Sequence, residues 1–321
     1  MSTVKPDPFR DPIQTPGFRS RFGGNWTDLT NANDILEGKL ALGEVTAREA
    51  NLLANFIENG YVILRGAVDP DVIAELQSDV ARLTVDGRTE SWVDVMENGR
   101  STTRRLAPGD DSAHGKMLKL LDLYSFLPSA RRVIFSPPTL RFLQLVFSRP
   151  PMAFQSLYFY NGSQQPLHRD TAFVRVSSPM EFTASWTALE DIQPGSGELV
   201  YYPFSHLLPE YLFEGKYKWL APGVPELNDF YAHLNQHAEQ SGHGQHKFLA
   251  NKGDTLIWSA DLAHGGGPVD DPAKTRKSLV AHYCPASAHP MYRHYEGSNG
   301  VSTYNKDAFY ESAKRSFWQA V

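Results

Sequence analysis

Apolar residues recur at helical spacing in the first half of the chain and at strand spacing in the second. Thr46-Ala47-Arg48-Glu49 reads as a capping box, with Leu52, Leu53, Phe56 and Ile57 on one face behind it and Gly60 as the stop. Residues 61–64 read as a short strand. Asp69-Pro70 opens a second helix, whose stripe is Ile73, Leu76, Val80 and Leu83. Helical patterns return at 117–126 and 138–147. Residues 1–40 look irregular, punctuated by prolines and Gly23-Gly24, and 84–116 reads as a long polar loop. After Pro151 the runs shorten and fill with β-branched and aromatic residues, predicting strands at 153–160, 172–176, 181–189, 198–202, 255–258 and 277–283, with one helix at 228–240. Helices first and a β core after them imply a sandwich or barrel with helices packed outside its sheets.

Composition narrows the class. The chain has 321 residues, 31 Lys plus Arg against 36 Asp plus Glu, and one cysteine, Cys284. A disulfide scaffold is excluded, and a net charge of −5 argues against broad nucleic-acid binding. No apolar run is long enough to span a bilayer. Residues 1–10 are polar and lack the apolar core of a secretory leader, so a cytoplasmic location is expected.

The informative chemistry begins at His168-Arg169-Asp170. On a strand, alternate residues share a face, so His168 and Asp170 would point the same way and Arg169 away from them. By itself the triplet reads more readily as a surface turn after Pro166 than as a metal site. A second signal lies downstream, where Gly253-Asp254-Thr255 feeds a buried strand and Asp261-Leu262-Ala263-His264 runs into Gly265-Gly266-Gly267. Small residues after a histidine leave room for a ligand. Arg276 follows twelve residues later, next to Lys277-Ser278, and a guanidinium there can fork onto a carboxylate. Two histidines and one carboxylate on one side of a metal form the facial arrangement of non-heme Fe(II) oxygenases.

With these residues in place, the chain resembles the phytanoyl-CoA dioxygenase family of Fe(II)/2-oxoglutarate oxygenases over roughly residues 45–285. Gly60-Tyr61-Val62-Ile63-Leu64-Arg65, Ser185-Trp186-Thr187-Ala188-Leu189 and Gly197-Glu198-Leu199 through Pro203-Phe204-Ser205-His206 carry the likeness further. The resemblance implies a mainly β fold with flanking helices, a double-stranded β-helix (jelly roll, cupin-like). It implies a single oxygenase domain over 1–321: helices and loops over 1–150, the β-helix core over 151–290, and a tail over 291–321; the polar stretch 84–116 within the first part is open to two readings, a lid over the iron or a solvated surface loop. His168, Asp170 and His264 become the iron ligands, and Arg276 the residue that binds the distal carboxylate of 2-oxoglutarate, with Ser278 beside it. Trp186 takes the place of an aromatic lining the cosubstrate pocket, and Gln155 or Tyr158 reaches the same molecule. Cofactors are Fe(II), 2-oxoglutarate and O2; the products are succinate, CO2 and an oxidised, most simply hydroxylated, small molecule. The sequence departs from the family at Arg169, commonly glutamine, at Phe204, a glycine in the P-G-S-H segment, and at Gly266, a serine in some members. Asp170 is retained, whereas related halogenases lose it.

Other readings stay open at this level. Arg100, Arg104 and Arg105 in 84–116 could meet an anionic substrate or simply face solvent. His233 and His237 share a helix face, without the glutamate of a zinc hydrolase motif. His206 and His282 read as hydrogen-bonded structural histidines, and Cys284 as a buried small residue. A non-catalytic metal-binding β-helix and a zinc hydrolase using the same triad are the alternatives to an oxygenase. Arg276 argues against the first, and iron against zinc dependence separates the second. No nucleic-acid or membrane partner is expected, and the oligomeric state is open.

Overall fold

The structure is a computed structural model and describes residues 16–86, 91–97, 100–107, 117–291 and 300–312. The polar opening, part of the candidate 84–116 lid and the end of the tail lie outside the described residues.

Among the described residues, six α-helices run in chain order as α1 (Ala32–Ala41), α2 (Ala47–Asn59), α3 (Pro70–Asp86), α4 (Pro128–Ile134), α5 (Pro137–Phe147) and α6 (Leu227–Gln240). The first strands are β1 (Tyr61–Leu64), β2 (Trp92–Glu97), β3 (Arg100–Arg105), β4 (Met117–Leu121) and β5 (Pro151–Phe159). β6 (Thr183–Ala188), β7 (Leu199–Tyr201), β8 (His246–Phe248), β9 (Thr255–Ser259), β10 (His264–Gly266) and β11 (Ser278–Pro285) follow. β12 (Gly300–Tyr304) and β13 (Ala308–Ser312) close the described chain. The larger sheet runs β1-β9-β6-β11-β5-β4-β2-β3, with β13 joining β5 in parallel, and the smaller runs β10-β7-β8. The architecture is the double-stranded β-helix, two sheets facing each other with helices on the outside of the larger one.

Strand alternation sorts the core into two layers. Leu157 and Phe159 of β5, Val280 of β11, Trp186 of β6, and Leu256 and Trp258 of β9 face inward, where they meet Leu199 and Tyr201 of β7. Their neighbours Tyr158, Leu279, Ala281 and Ile257 face outward, onto Leu53, Phe56, Ile73, Val80 and Val133 of the helices. The inner face of the larger sheet therefore becomes the floor of the site.

Helix starts follow their caps. Glu49 N–H donates to Thr46 Oγ1 at 3.2 Å and Thr46 N–H donates to Glu49 Oε2 at 2.8 Å. Gly60 ends α2 at φ +81°, with the His206 ring packed where a Cβ would stand.

Several expected elements differ. The segment read as a long loop at 84–116 contains β2 and β3, which pair with each other, and β2 pairs with β4. Val93 and Val95 alternate inward among polar neighbours, a pattern short enough to be hidden by the charged residues around it. The helix expected at 117–126 is β4 followed by a 3-10 turn at Leu123–Ser125; an apolar run of this length fits either element, and pairing with β5 decides it. Residues 172–176 form no strand, because Phe173 N–H folds back onto Asp170 O at 2.8 Å. α1 arises inside the stretch expected to be irregular. The tail contributes β12 and β13, which cap the end of β5.

Candidate metal centre

His168 pairs beside His264 of β10, at the edge of the smaller sheet. His168 N–H donates to His264 O at 2.9 Å, and His264 N–H donates to His168 O at 3.0 Å. This isolated bridge, not a continuous strand, aligns the pair. Asp170 follows from the 3-10 turn Asp170–Ala172, so turn geometry rather than strand alternation brings it beside the histidines. Arg169 does point away, donating to the carbonyls of Ser205, Leu208 and Pro209 at 2.7–3.1 Å.

Both imidazoles are held the same way. His168 Nδ1 lies 2.9 Å from Pro166 O and His264 Nδ1 lies 2.9 Å from Leu262 O. A carbonyl only accepts, so each Nδ1 carries a proton and each Nε2 is the atom turned toward Asp170. The two Nε2 atoms stand 3.7 and 3.6 Å from Asp170 Oδ1. Asp170 Oδ2 is occupied, accepting from Trp258 Nε1 at 2.8 Å. His282 Nε2 lies 3.3 Å from Oδ2, without the alignment of a hydrogen bond. Burial, reinforced by His264, lowers His168 to about 3, which keeps that ring neutral. Burial works to raise the Asp170 carboxyl, but the fields of His264 and His282 outweigh it and hold it below the usual carboxylate range.

Among the described residues, His168, Asp170 and His264 are the one group of three such side chains whose donor atoms all lie within 4.8 Å of one another. Two imidazole nitrogens and one carboxylate oxygen converge, each with its other polar atom engaged elsewhere. This donor set fits Fe(II) in the facial arrangement. The amide of Gln165 donates to His168 Nε2 at 3.2 Å and would have to yield that lone pair to a metal.

The three residues open onto a cavity also lined by Leu157, Phe159, Trp186, Val280 and Arg276. Arg276 is 2% exposed, yet it makes one long side-chain hydrogen bond, Nη2 to Asn161 O at 3.5 Å, and its buried Nε has no partner. Burial pushes the guanidinium down to about 10, with Glu198 opposing. Its Cζ lies 5.4 and 5.5 Å from the ring centres of Phe159 and Trp186. A buried cation with unspent donors fits a carboxylate ligand. The Trp186 indole Nε1, Ser278 Oγ and Gln155 Oε1 are likewise buried without partners.

Lys119, not singled out from sequence, stands over Phe159 at 5.6 Å. Burial lowers its ammonium, and the field of Arg276 adds to this against Asp94. Its signal was hidden because 117–126 was read as helical. Tyr158 is a correction: it lies on the outward face of β5, in the helix-facing core, so of the pair offered for the cosubstrate only Gln155 faces inward. Trp258 was seen as a buried strand residue, without its link to Asp170. The room at Gly265 and Gly266 serves the backbone. A Cβ on Gly265 would stand 2.8 Å from Gln165 O, and one on Gly266 would stand 2.6 Å from Ser163 Oγ.

The remaining histidines separate from the centre. His206 Nε2 meets Ile57 O at 3.2 Å, a structural contact. His233 and His237 stack at 4.2 Å on α6. Cys284 is buried, and burial pushes its thiol up.

A jelly roll carrying two histidines, one aspartate and a buried arginine defines a facial-triad iron oxygenase. The profile of the phytanoyl-CoA dioxygenase family matches residues 56–278, and the chain belongs to that family. It is thus a non-heme iron, 2-oxoglutarate-dependent dioxygenase, which removes the non-catalytic and zinc-hydrolase alternatives. The peroxisomal phytanoyl-CoA dioxygenase of Bos taurus is 23% identical over 273 residues, covering 78% of this chain and 74% of that protein. Among solved structures, the epimerase SnoN in complex with Fe3+, alpha ketoglutarate and nogalamycin RO superposes with a TM-score of 0.59 at 19% identity, covering 83% of this chain and 98% of that one. EctD from S. alaskensis with bound Fe gives 0.53 at 20% identity, covering 76% and 78%. At these identities the two structures establish the shared fold. No helix among the described residues is long and apolar enough to cross a membrane.

Proposed function

We propose that His168, Asp170 and His264 hold Fe(II), that Arg276 binds the distal carboxylate of 2-oxoglutarate, and that the enzyme hydroxylates an unactivated C–H bond of a small molecule. The observation that carries this reading is the buried, under-bonded Arg276 on the same cavity as the triad. Bound iron supplies the oxidising chemistry, coupling decarboxylation of 2-oxoglutarate to substrate oxidation with succinate and CO2 as products.

The side chains supply position and exclusion. The Nδ1 contacts lock both imidazoles with Nε2 inward. Trp258 holds Oδ2, so Asp170 offers a single oxygen. Lys119 adds a second positive charge beside Phe159, suited to a dianionic cosubstrate. Leu157, Val280 and Leu199 wall the cavity with hydrocarbon and keep water out. Phe173, 40% exposed and 5.7 Å from the His168 ring, offers an apolar surface at the rim. Arg104 and Arg105 lie on β3 and leave an anionic substrate as an option. The helices and both sheets share cores, which supports one oxygenase domain. A cytoplasmic location is proposed on the single, buried thiol.

The test is succinate release from 2-oxoglutarate by anaerobically iron-loaded protein once air is admitted. Release should require iron and fail in His168→Ala. In Arg276→Ala, loss of a charged hydrogen bond should raise KM for 2-oxoglutarate by roughly 10- to 100-fold. Absence of both release and 2-oxoglutarate binding by the iron form overturns the reading. Epimerisation or cyclisation in place of hydroxylation would appear as a product without added oxygen.

A further inference from the structure

Behind the triad lies a second polar assembly, buried at Asp261, Thr171 and Lys218, none of whose members lines the cavity of the triad. Asp261 sits in the turn between β9 and β10, just ahead of His264, and is 2% exposed. Its Oδ1 accepts from Thr171 Oγ1 at 2.6 Å, and Thr171 immediately follows Asp170. Its Oδ2 is ion-paired with Lys218, itself 5% exposed. Lys218 also reaches Glu210 Oε1 at 2.8 Å, and Ser20 Oγ donates to the same oxygen at 2.7 Å. The segment carrying Lys218 is stitched to the Asp170 turn a second time, through Leu220 N–H donating to Ala172 O at 3.0 Å.

Desolvating such a pair is expensive, and hydrocarbon of the same volume often serves stability equally well. The placement is what needs explaining. One arm grips the residue after Asp170. The other grips the turn whose Leu262 carbonyl orients His264. The backbones of the two metal-bearing segments are joined by the His168–His264 bridge and by Gly266 N–H donating to Gln165 O, neither of which includes Asp170, while Trp258 Nε1 holds one Asp170 oxygen from β9.

We propose that Thr171, Asp261 and Lys218 are positioning residues that hold the Asp170 turn at a fixed distance from His264, and thereby set the affinity of the centre for its metal. The proposal rests on the triad being the metal site. It predicts that loosening the link weakens metal binding without a matching loss of fold stability.

The experiment uses the full chain and Co(II) as probe, with affinity read by competition against a chromophoric chelator and coordination by the visible spectrum of the bound ion. Thr171→Val should weaken Co(II) binding by about 10-fold or more, the range seen when partners of metal ligands are removed. The melting temperature of the metal-free variant should move far less than the affinity does. Thr171→Ser, which restores the hydroxyl, should return the affinity to within about twofold of wild type. Asp261→Asn keeps the acceptor for Thr171 but loses the pull of Lys218, and should also weaken binding if Thr171→Val does not fold. Unchanged Co(II) affinity in both variants overturns the proposal, as does a loss that Thr171→Ser fails to rescue. If wild type itself binds no Co(II), the metal-site reading falls first; if wild type binds and the variants bind equally, only this inference falls.

Discussion

Phe204 occupies a left-handed conformation, φ +65°. Glycine adopts this backbone conformation without strain, and the Phe204 ring stacks on His243 at 4.0 Å. Ala at this position keeps the strain and loses the stack. Gly loses the stack but releases about 1–2 kcal/mol of strain. Phe204→Gly should therefore melt higher than Phe204→Ala, the reverse of the usual order, in a thermal unfolding comparison. A neighbouring residue gives a pH prediction. Burial lowers His206 from 6.5 to about 4, with Arg19 and Arg169 adding to the effect and Asp261 opposing it. The neutral ring belongs to the folded state, so its contribution to stability is complete above pH 6.5 and is lost as the pH falls toward 4. Against His206→Gln, wild type should lose on the order of 1–2 kcal/mol more over that window in denaturant titrations. At this scale the sequence was most legible where chemistry is rare. A histidine, an aspartate and a distant arginine stand out in spacing, whereas Trp258, Lys119 and Gln165 act through contacts that spacing does not encode.

Elements were legible where a local signal sufficed, and β2, β4 and α1 show where it did not. α2 carries a capping box and a glycine stop, so its bounds follow from a dozen residues. β4 is five residues long and apolar enough for either period, so its identity comes from pairing with β5, which no local window contains. The turn after His168 is similar: the convergence with Asp170 was anticipated, but through strand alternation that the 3-10 turn replaces. β10 offers a test of how tightly an element constrains the centre. A Cβ on Gly266 would press within 2.7 Å of Gln164 N, part of the backbone leading into His168. Gly266→Ala should shift that segment, lowering metal affinity in a chelator competition by about 10-fold while Gly43→Ala, at an open site, leaves it unchanged.

The molecule as a whole couples metal, cosubstrate and stability. Metal that binds only the folded chain stabilises it by mass action, about 2.7 kcal/mol at a hundredfold excess over Kd. Chelation should therefore lower the melting temperature by several degrees, and His168→Ala should abolish the difference. 2-Oxoglutarate should add a further rise in wild type, a much smaller one in Arg276→Ala, and little without metal. Scanning calorimetry on the four combinations checks the coupling.

The bridge that sets His168 against His264 also fixes when the protein can first be loaded. The proposed ligands His168 and His264 stand side by side at the edge of the smaller sheet yet come from distant points in synthesis, with β6 to β9 made between them. A domain generally folds as a unit, and until His264 has emerged the growing chain holds two of the three proposed ligands and no clamp. Half-made protein therefore gives iron no firm seat, and the oxidising chemistry waits for a finished jelly roll around it.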